Sequence, residues 1–190
     1  IDRSLVGSEM CIRDSLGALD PLANLLAGGL LLSFLLPLAL IDLRTMRLPE
    51  PLCRWGVICG LALSAIAGFW LGSGSELLLW HALAAATGLL VFEAISNLGE
   101  KLLGAPALGL GDAKLAALLG AWLGFQGLAM ACAVAVVLGA AFGLAGRLGG
   151  WLGPKEPFPF GPFLAVGGLL SWLACDALWA LLINPGPMGL

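Results

Sequence analysis

Charge is scarce in this chain. Only 11% of its 190 residues are Asp, Glu, Lys or Arg, while 60% are hydrophobic and the mean hydropathy is +1.01. Soluble globular domains carry about 25% charge, so an ordinary water-soluble domain is excluded and most of the length reads as membrane. A basic surplus is missing too. The formal net charge is −3, and nucleic acid is not an expected partner. The cysteines, at 11, 53, 59, 132 and 175, include no Cys-x-x-Cys pair. That argues against a zinc site or a disulfide framework. The single histidine, His81, lies in an apolar run, so a histidine-based metal site or nucleophile would lack partners. No metal and no cofactor are expected.

What the chain does have is long apolar runs, at roughly 21–41, 52–72, 77–99, 112–124, 126–147 and 161–183. Most can cross about 30 Å of hydrocarbon at 1.5 Å per residue. The run 112–124 is short, and either spans with help from its neighbours or pairs with 126–147 across a break at 124–126. Small residues crowd 82–86 and 139–146, which suits close helix packing in lipid. Residues 1–20 are polar, mixed in charge and aperiodic. They read as a non-native or disordered tail, 186–190 as a second tail, and 21–185 as one transmembrane domain. The expected fold is all-α, a polytopic membrane bundle with about six transmembrane helices.

Basic residues set the expected orientation. If every run spans, the loops 42–51, 100–111 and 148–160 share one face. Arg44, Arg47, Arg54, Lys101, Lys114, Arg147 and Lys155 lie in or beside those loops, and the opposite loops carry no Lys or Arg. The positive-inside rule makes this face cytoplasmic, with lipid as the surrounding partner.

Two carboxylates fall on that face. Asp42 closes the first run, and Asp112 ends the turn Gly109-Leu110-Gly111-Asp112 before the fourth. Charges beside a lipid core are costly, so such a pair reads as functional. Two carboxylates are also the minimum equipment of a metal-free acid–base hydrolase. The glycines are expected to leave room and free φ for a backbone beside a substrate. Each motif has a blander reading as well. Asp112 would serve as a helix cap, and Asp42 as part of a surface cluster with Arg44 and Arg47 worth about 1 kcal/mol or less.

Taken together, three blocks resemble the bacterial type IV prepilin peptidase family, membrane aspartic proteases of the Gly-x-Gly-Asp type. They are Ile41-Asp42 with Pro49-Glu50 following, where the family usually has Pro-Asp; Gly109 to Gly124; and Phe158-Pro-Phe-Gly-Pro-Phe-Leu-Ala-Val-Gly-Gly168. The resemblance implies Asp42 and Asp112 as the catalytic pair, with Gly109 and Gly111 forming the supporting turn. It implies removal of a short basic leader from type IV prepilins or type II secretion pseudopilins. Many members also methylate the new N-terminus, an activity associated with paired Cys-x-x-Cys motifs. This sequence lacks them and resembles the C-terminal peptidase part, so methyl transfer is not expected of these residues.

Lys114 and Glu50 are secondary candidates, Lys114 through its charge beside Asp112 and Glu50 as a contact for the basic leader. Glu100 and Glu156 are weaker leader contacts. Glu93, about midway along 77–99, is an intramembrane carboxylate. Asp176 is expected near the opposite face, with a packing role. The tryptophans at 55, 70, 80, 151 and 172 are expected in interfacial belts. Two rivals remain. A presenilin or signal-peptide-peptidase relative would place its first aspartate within a helix. A small transporter or inactive assembly subunit would use Asp42, Glu93 and Asp112 as an ion path, with carboxylates at several depths.

Overall fold

The computed structural model describes residues 21–71, 75–103, 109–150 and 159–183, without the side chains of Leu71, Leu103 and 175–183. The expected tails, Trp151, Lys155, Glu156 and the Asp176 side chain lie outside the described residues. The fold is an all-α membrane helix bundle. In chain order the elements are α1 (Pro21–Thr45), α2 (Glu50–Leu71), α3 (Ser75–Leu103), α4 (Leu110–Leu148) and α5 (Gly161–Ile183). The first four are long and apolar enough to cross a membrane, and Gly161–Ala174 is a shorter apolar helix. Leu25, Leu26, Phe69, Trp70, Val137 and Leu144 are all exposed. A soluble monomer rarely leaves so much apolar surface uncovered, as fits helices long and apolar enough to cross a membrane.

The fourth and fifth expected runs form one continuous element with a break inside it. Gly124 has φ 67° and ψ −170°, a backbone state open to glycine and strained for other residues. Contacts on both sides show that the chain turns back there. A Cβ on Gly88 would meet Ala116 and Leu128 alike, and the adjacent Gly167 and Gly168 face Ala131 and Leu119. Along α5, Gly167 and Ser171 meet Ala131 and Gly127, whereas Gly168 and Trp172 meet Leu119 and Trp122. α5 therefore runs against 125–148 and along 110–123, and the two halves are antiparallel.

The half 110–123 is the axis of the bundle. Ala113 and every residue from Leu115 to Leu123 are buried. A helix that is apolar all round belongs in a core. At 1.5 Å per residue it is only about 20 Å long, yet it needs no lipid match because protein surrounds it. Its far end is capped by polar groups. His81 Nδ1 donates to the Ala121 carbonyl at 3.1 Å, and Trp122 Nε1 donates to the Gly56 carbonyl at 2.9 Å. The break at Gly124 takes the normal helical partner from the Ala121 carbonyl and His81 replaces it, whereas Trp122 ties the axis to a carbonyl within α2. The lone histidine is thus a structural cap.

Trp172 is a correction. It is buried and meets Trp122 edge-on, with centroids 6.2 Å apart, so it belongs to the core and not to an interfacial belt. Trp55, Trp70 and Trp80 are exposed near helix ends.

On α1 the buried positions are Ala27, Leu31, Leu35, Leu38 and Asp42. They recur every three or four residues and form one stripe. Asp42 lies one turn beyond Leu38 on that stripe, so the spacing that buries leucine also turns the carboxylate inward.

Candidate active site

Asp42 and Asp112 line the same cavity, of ≈ 370 Å³. That lies within the usual range for ligand pockets, about 300–1,000 Å³. The end of α1 and its following turn contribute Asp42, Met46, Arg47 and Leu48, and the start of α4 contributes Gly109, Leu110, Gly111, Asp112 and Lys114. Both aspartates are buried, with 4% and 7% of their surface exposed.

Each carboxylate is held by a backbone N–H, from different sources. Asp112 Oδ2 accepts from Gly109 N–H at 3.3 Å, within its own first helical turn. Asp42 lies in the last turn of α1, where the helix dipole disfavours a negative charge. Its Oδ2 accepts from Gly161 N–H at 3.1 Å, at the start of α5. Pro162 has no N–H to offer, so Gly161 supplies the donor at that helix end. A Cβ on Gly161 would lie 2.5 Å from that same Oδ2, so any larger residue would push the carboxylate away.

The expected reason for the glycines of the turn is corrected. Gly109 is the helix cap, with φ −71° and ψ 144°, a conformation open to any residue, and Asp112 sits three positions further on. Free φ is not what this turn requires. Gly111 is needed for close approach, since a Cβ there would lie 2.9 Å from Leu48 Cδ1.

Lys114 lines the cavity and pairs with Glu50 at 3.3 Å, with side-chain exposures of 39% and 74%. Glu50 therefore balances Lys114. An exposed pair of this kind contributes about 0–1 kcal/mol. Glu100 is exposed at the end of α3. Glu93 is corrected in depth. The contacts of Gly88 with Ala116 and of Gly120 with Ala84 fix the register of α3 on α4. One turn further along, Glu93 falls close to the level of Asp112. Among the described residues, Asp42, Glu93 and Asp112 share one end of the bundle, whereas an ion path needs carboxylates at several depths.

Gly161, Met46 and Leu48 were not anticipated as parts of the site. Gly161 stood in the third motif block, where a glycine before a proline at a helix start was the available signal. Met46 has φ 49° and donates its N–H to the Asp42 carbonyl at 2.9 Å, closing α1. A non-glycine residue in that region is strained by about 1 kcal/mol or more, and no local sequence feature marked it.

The type IV leader peptidase family matches the chain over residues 29–144. The prepilin leader peptidase/N-methyltransferase of Burkholderia pseudomallei (strain 1026b) is 36% identical over 154 residues, 81% of this chain and 48% of that protein. Its namesake from Aeromonas salmonicida (strain A449) is 35% identical over 163 residues, 84% of this chain and 53% of that protein. That of Pectobacterium carotovorum subsp. carotovorum is 35% identical over 159 residues, 76% and 50% of the two chains. The chain spans about half the length of the curated relatives it matches. No solved structure matches it.

Proposed function

The chain belongs to the type IV leader peptidase family, and on that premise we propose that it is a membrane aspartic endopeptidase. Its substrates would be type IV prepilins or type II secretion pseudopilins, cut at the basic leader. The observation that carries this reading is the meeting of Asp42 and Asp112 on one cavity wall at one end of the bundle.

The chemistry follows from two neighbouring buried carboxylates. Both do not ionise easily together, so one keeps a proton. The ionised partner takes a proton from a water, which attacks the scissile carbonyl carbon. The protonated partner donates to the carbonyl oxygen, and the leaving amine is protonated as the tetrahedral intermediate collapses. The backbone donors Gly161 and Gly109 hold the two side chains in place during these steps.

Arg44, Arg47, Arg54, Lys101, Lys114 and Arg147 all fall on helix ends or turns at the cavity end of the bundle. The positive-inside rule turns that end to the cytoplasm of a bacterial inner membrane. A basic leader arriving there would compete with Lys114 for Glu50. The second activity in the relatives' name, N-methyl transfer, is not assigned to these residues. The test is cleavage of a prepilin peptide by the purified protein. Asp42→Asn and Asp112→Asn should each abolish product while the folded protein is retained. Full activity in either variant would sink the reading.

A further inference from the structure

The helix bearing Asp42 has little direct packing on the helix bearing Asp112. α1 rests mainly on α5 and touches α2 lightly. Two links join the aspartates: α5, which holds Asp42 through Gly161 and packs along α4, and the turn after α1. That turn is tied to the last turn of α1 by hydrogen bonds. Thr45 Oγ1 donates to the Ile41 carbonyl at 2.9 Å and contacts the Arg47 carbonyl at 3.1 Å, and Met46 N–H reaches the Asp42 carbonyl at 2.9 Å. At its far side Leu48 seats on the bare backbone of Gly111, the residue before Asp112. A Cβ on Gly111 would lie 2.9, 3.0 and 3.3 Å from Leu48 Cδ1, Cβ and Cγ.

Resting on the assignment of Asp42 and Asp112 as the working pair, we propose that Leu48 is a positioning residue. Its fit against Gly111 sets the span between the two carboxylates. Gly111 is then small because Leu48 occupies the space its side chain would need. The alternative is that Gly111 is small to leave room for substrate, and Leu48 is mere filling. The two accounts differ in what a second substitution does. If Leu48 fills the space, trimming it accommodates a Cβ on Gly111. If substrate needs the space, trimming Leu48 gives nothing back.

The experiment is steady-state cleavage of a prepilin peptide by the protein in lipid vesicles. Gly111→Ala should lower kcat by roughly ten- to a hundredfold, with KM changed by less than about twofold, because misplacement of reacting groups acts on turnover. Leu48→Ala in that background removes Cγ and Cδ1, leaving only the 3.0 Å Cβ contact, which a shift of a few tenths of an ångström relieves, and should raise kcat about tenfold over Gly111→Ala alone. Leu48→Met in the same background keeps the bulk and should give no such recovery. A Gly111→Ala, Leu48→Ala protein as slow as Gly111→Ala alone overturns the proposal, as does equal rescue by Met. Should the double variant fail to fold, Leu48→Phe on the native Gly111 decides. Overfilling this contact should lower kcat with KM unchanged, and native kcat would overturn the proposal. Asp42→Asn and Asp112→Asn run alongside. If either cleaves at the native rate, the aspartate pair falls and the role of Leu48 with it. If both are dead and rescue is absent, only the Leu48 proposal falls.

Discussion

Asp42 and Asp112 reach one cavity from opposite kinds of helix end. Asp112 sits where a helix begins, beside free N–H groups, and its hydrogen bond comes from Gly109 in the same turn. Asp42 sits where a helix finishes, among carbonyls, and its donor is Gly161 from another helix. One carboxylate is therefore placed by local structure, the other by tertiary assembly. The start of α4 carries its own geometry wherever it packs. The end of α1 is correct only when α5 and the turn at Met46–Leu48 are both in position.

Five variants break or sharpen this contrast. The largest effect belongs to the carboxylates themselves. Asp42→Asn and Asp112→Asn should each lower kcat by at least about 10²–10⁴-fold, the usual worth of a general acid or base, in a peptide-cleavage assay. Next comes the tertiary support of Asp42. Gly161→Ala brings a Cβ against Oδ2 and should lower kcat by roughly ten- to a hundredfold. A native rate would show that Asp42 does not depend on α5. Glu50→Gln should act on binding, raising KM about two- to fivefold while kcat changes less, with an effect that weakens as salt screens exposed charge. The smallest effect is the local counterpart. A Cβ on Gly109 would lie 3.5 Å from Asp112 Oδ2, an ordinary contact, and the φ of −71° suits alanine. Gly109→Ala should therefore stay within about twofold of native kcat. A loss as large as that of Gly161→Ala would erase the distinction between the two supports.

The same distinction marks how far the sequence could be read. Apolar runs showed the helices, since a helix in lipid must satisfy its own backbone and declares itself by length and hydropathy. Asp42 and Asp112 were visible because charge at the edge of an apolar run is rare. The break at 124–126 was visible as a glycine between two apolar stretches. Gly161 stands within a motif that gives it no legible role, because its partner lies 119 residues away. The depth of Glu93 came from the register of α3 on α4, which counting along a single run does not supply. Trp172 was placed in a belt by its position near a helix end, and only packing against Trp122 puts it inside. The strained Met46 depends on how α1 hands over to α2, which no single residue type encodes.

The sheathing of residues 110–123 has a consequence for how the bilayer acts on this protein. Lipid has almost no grip on the helix that carries Asp112, whose residues 115–123 are buried. It has a broad grip on α1, where Leu22, Leu25, Leu26, Leu36, Leu40 and Leu43 are exposed. Hydrophobic mismatch costs fractions of a kcal/mol per Å and is relieved by tilting. In a bilayer the tilt would fall on the exposed α1 before the protein-enclosed axis. A change in membrane thickness would then move Asp42 relative to Asp112, and cleavage rates across vesicles of graded acyl length should pass through a maximum. In a bilayer the fold would work as a caliper, one jaw set in protein and the other against lipid.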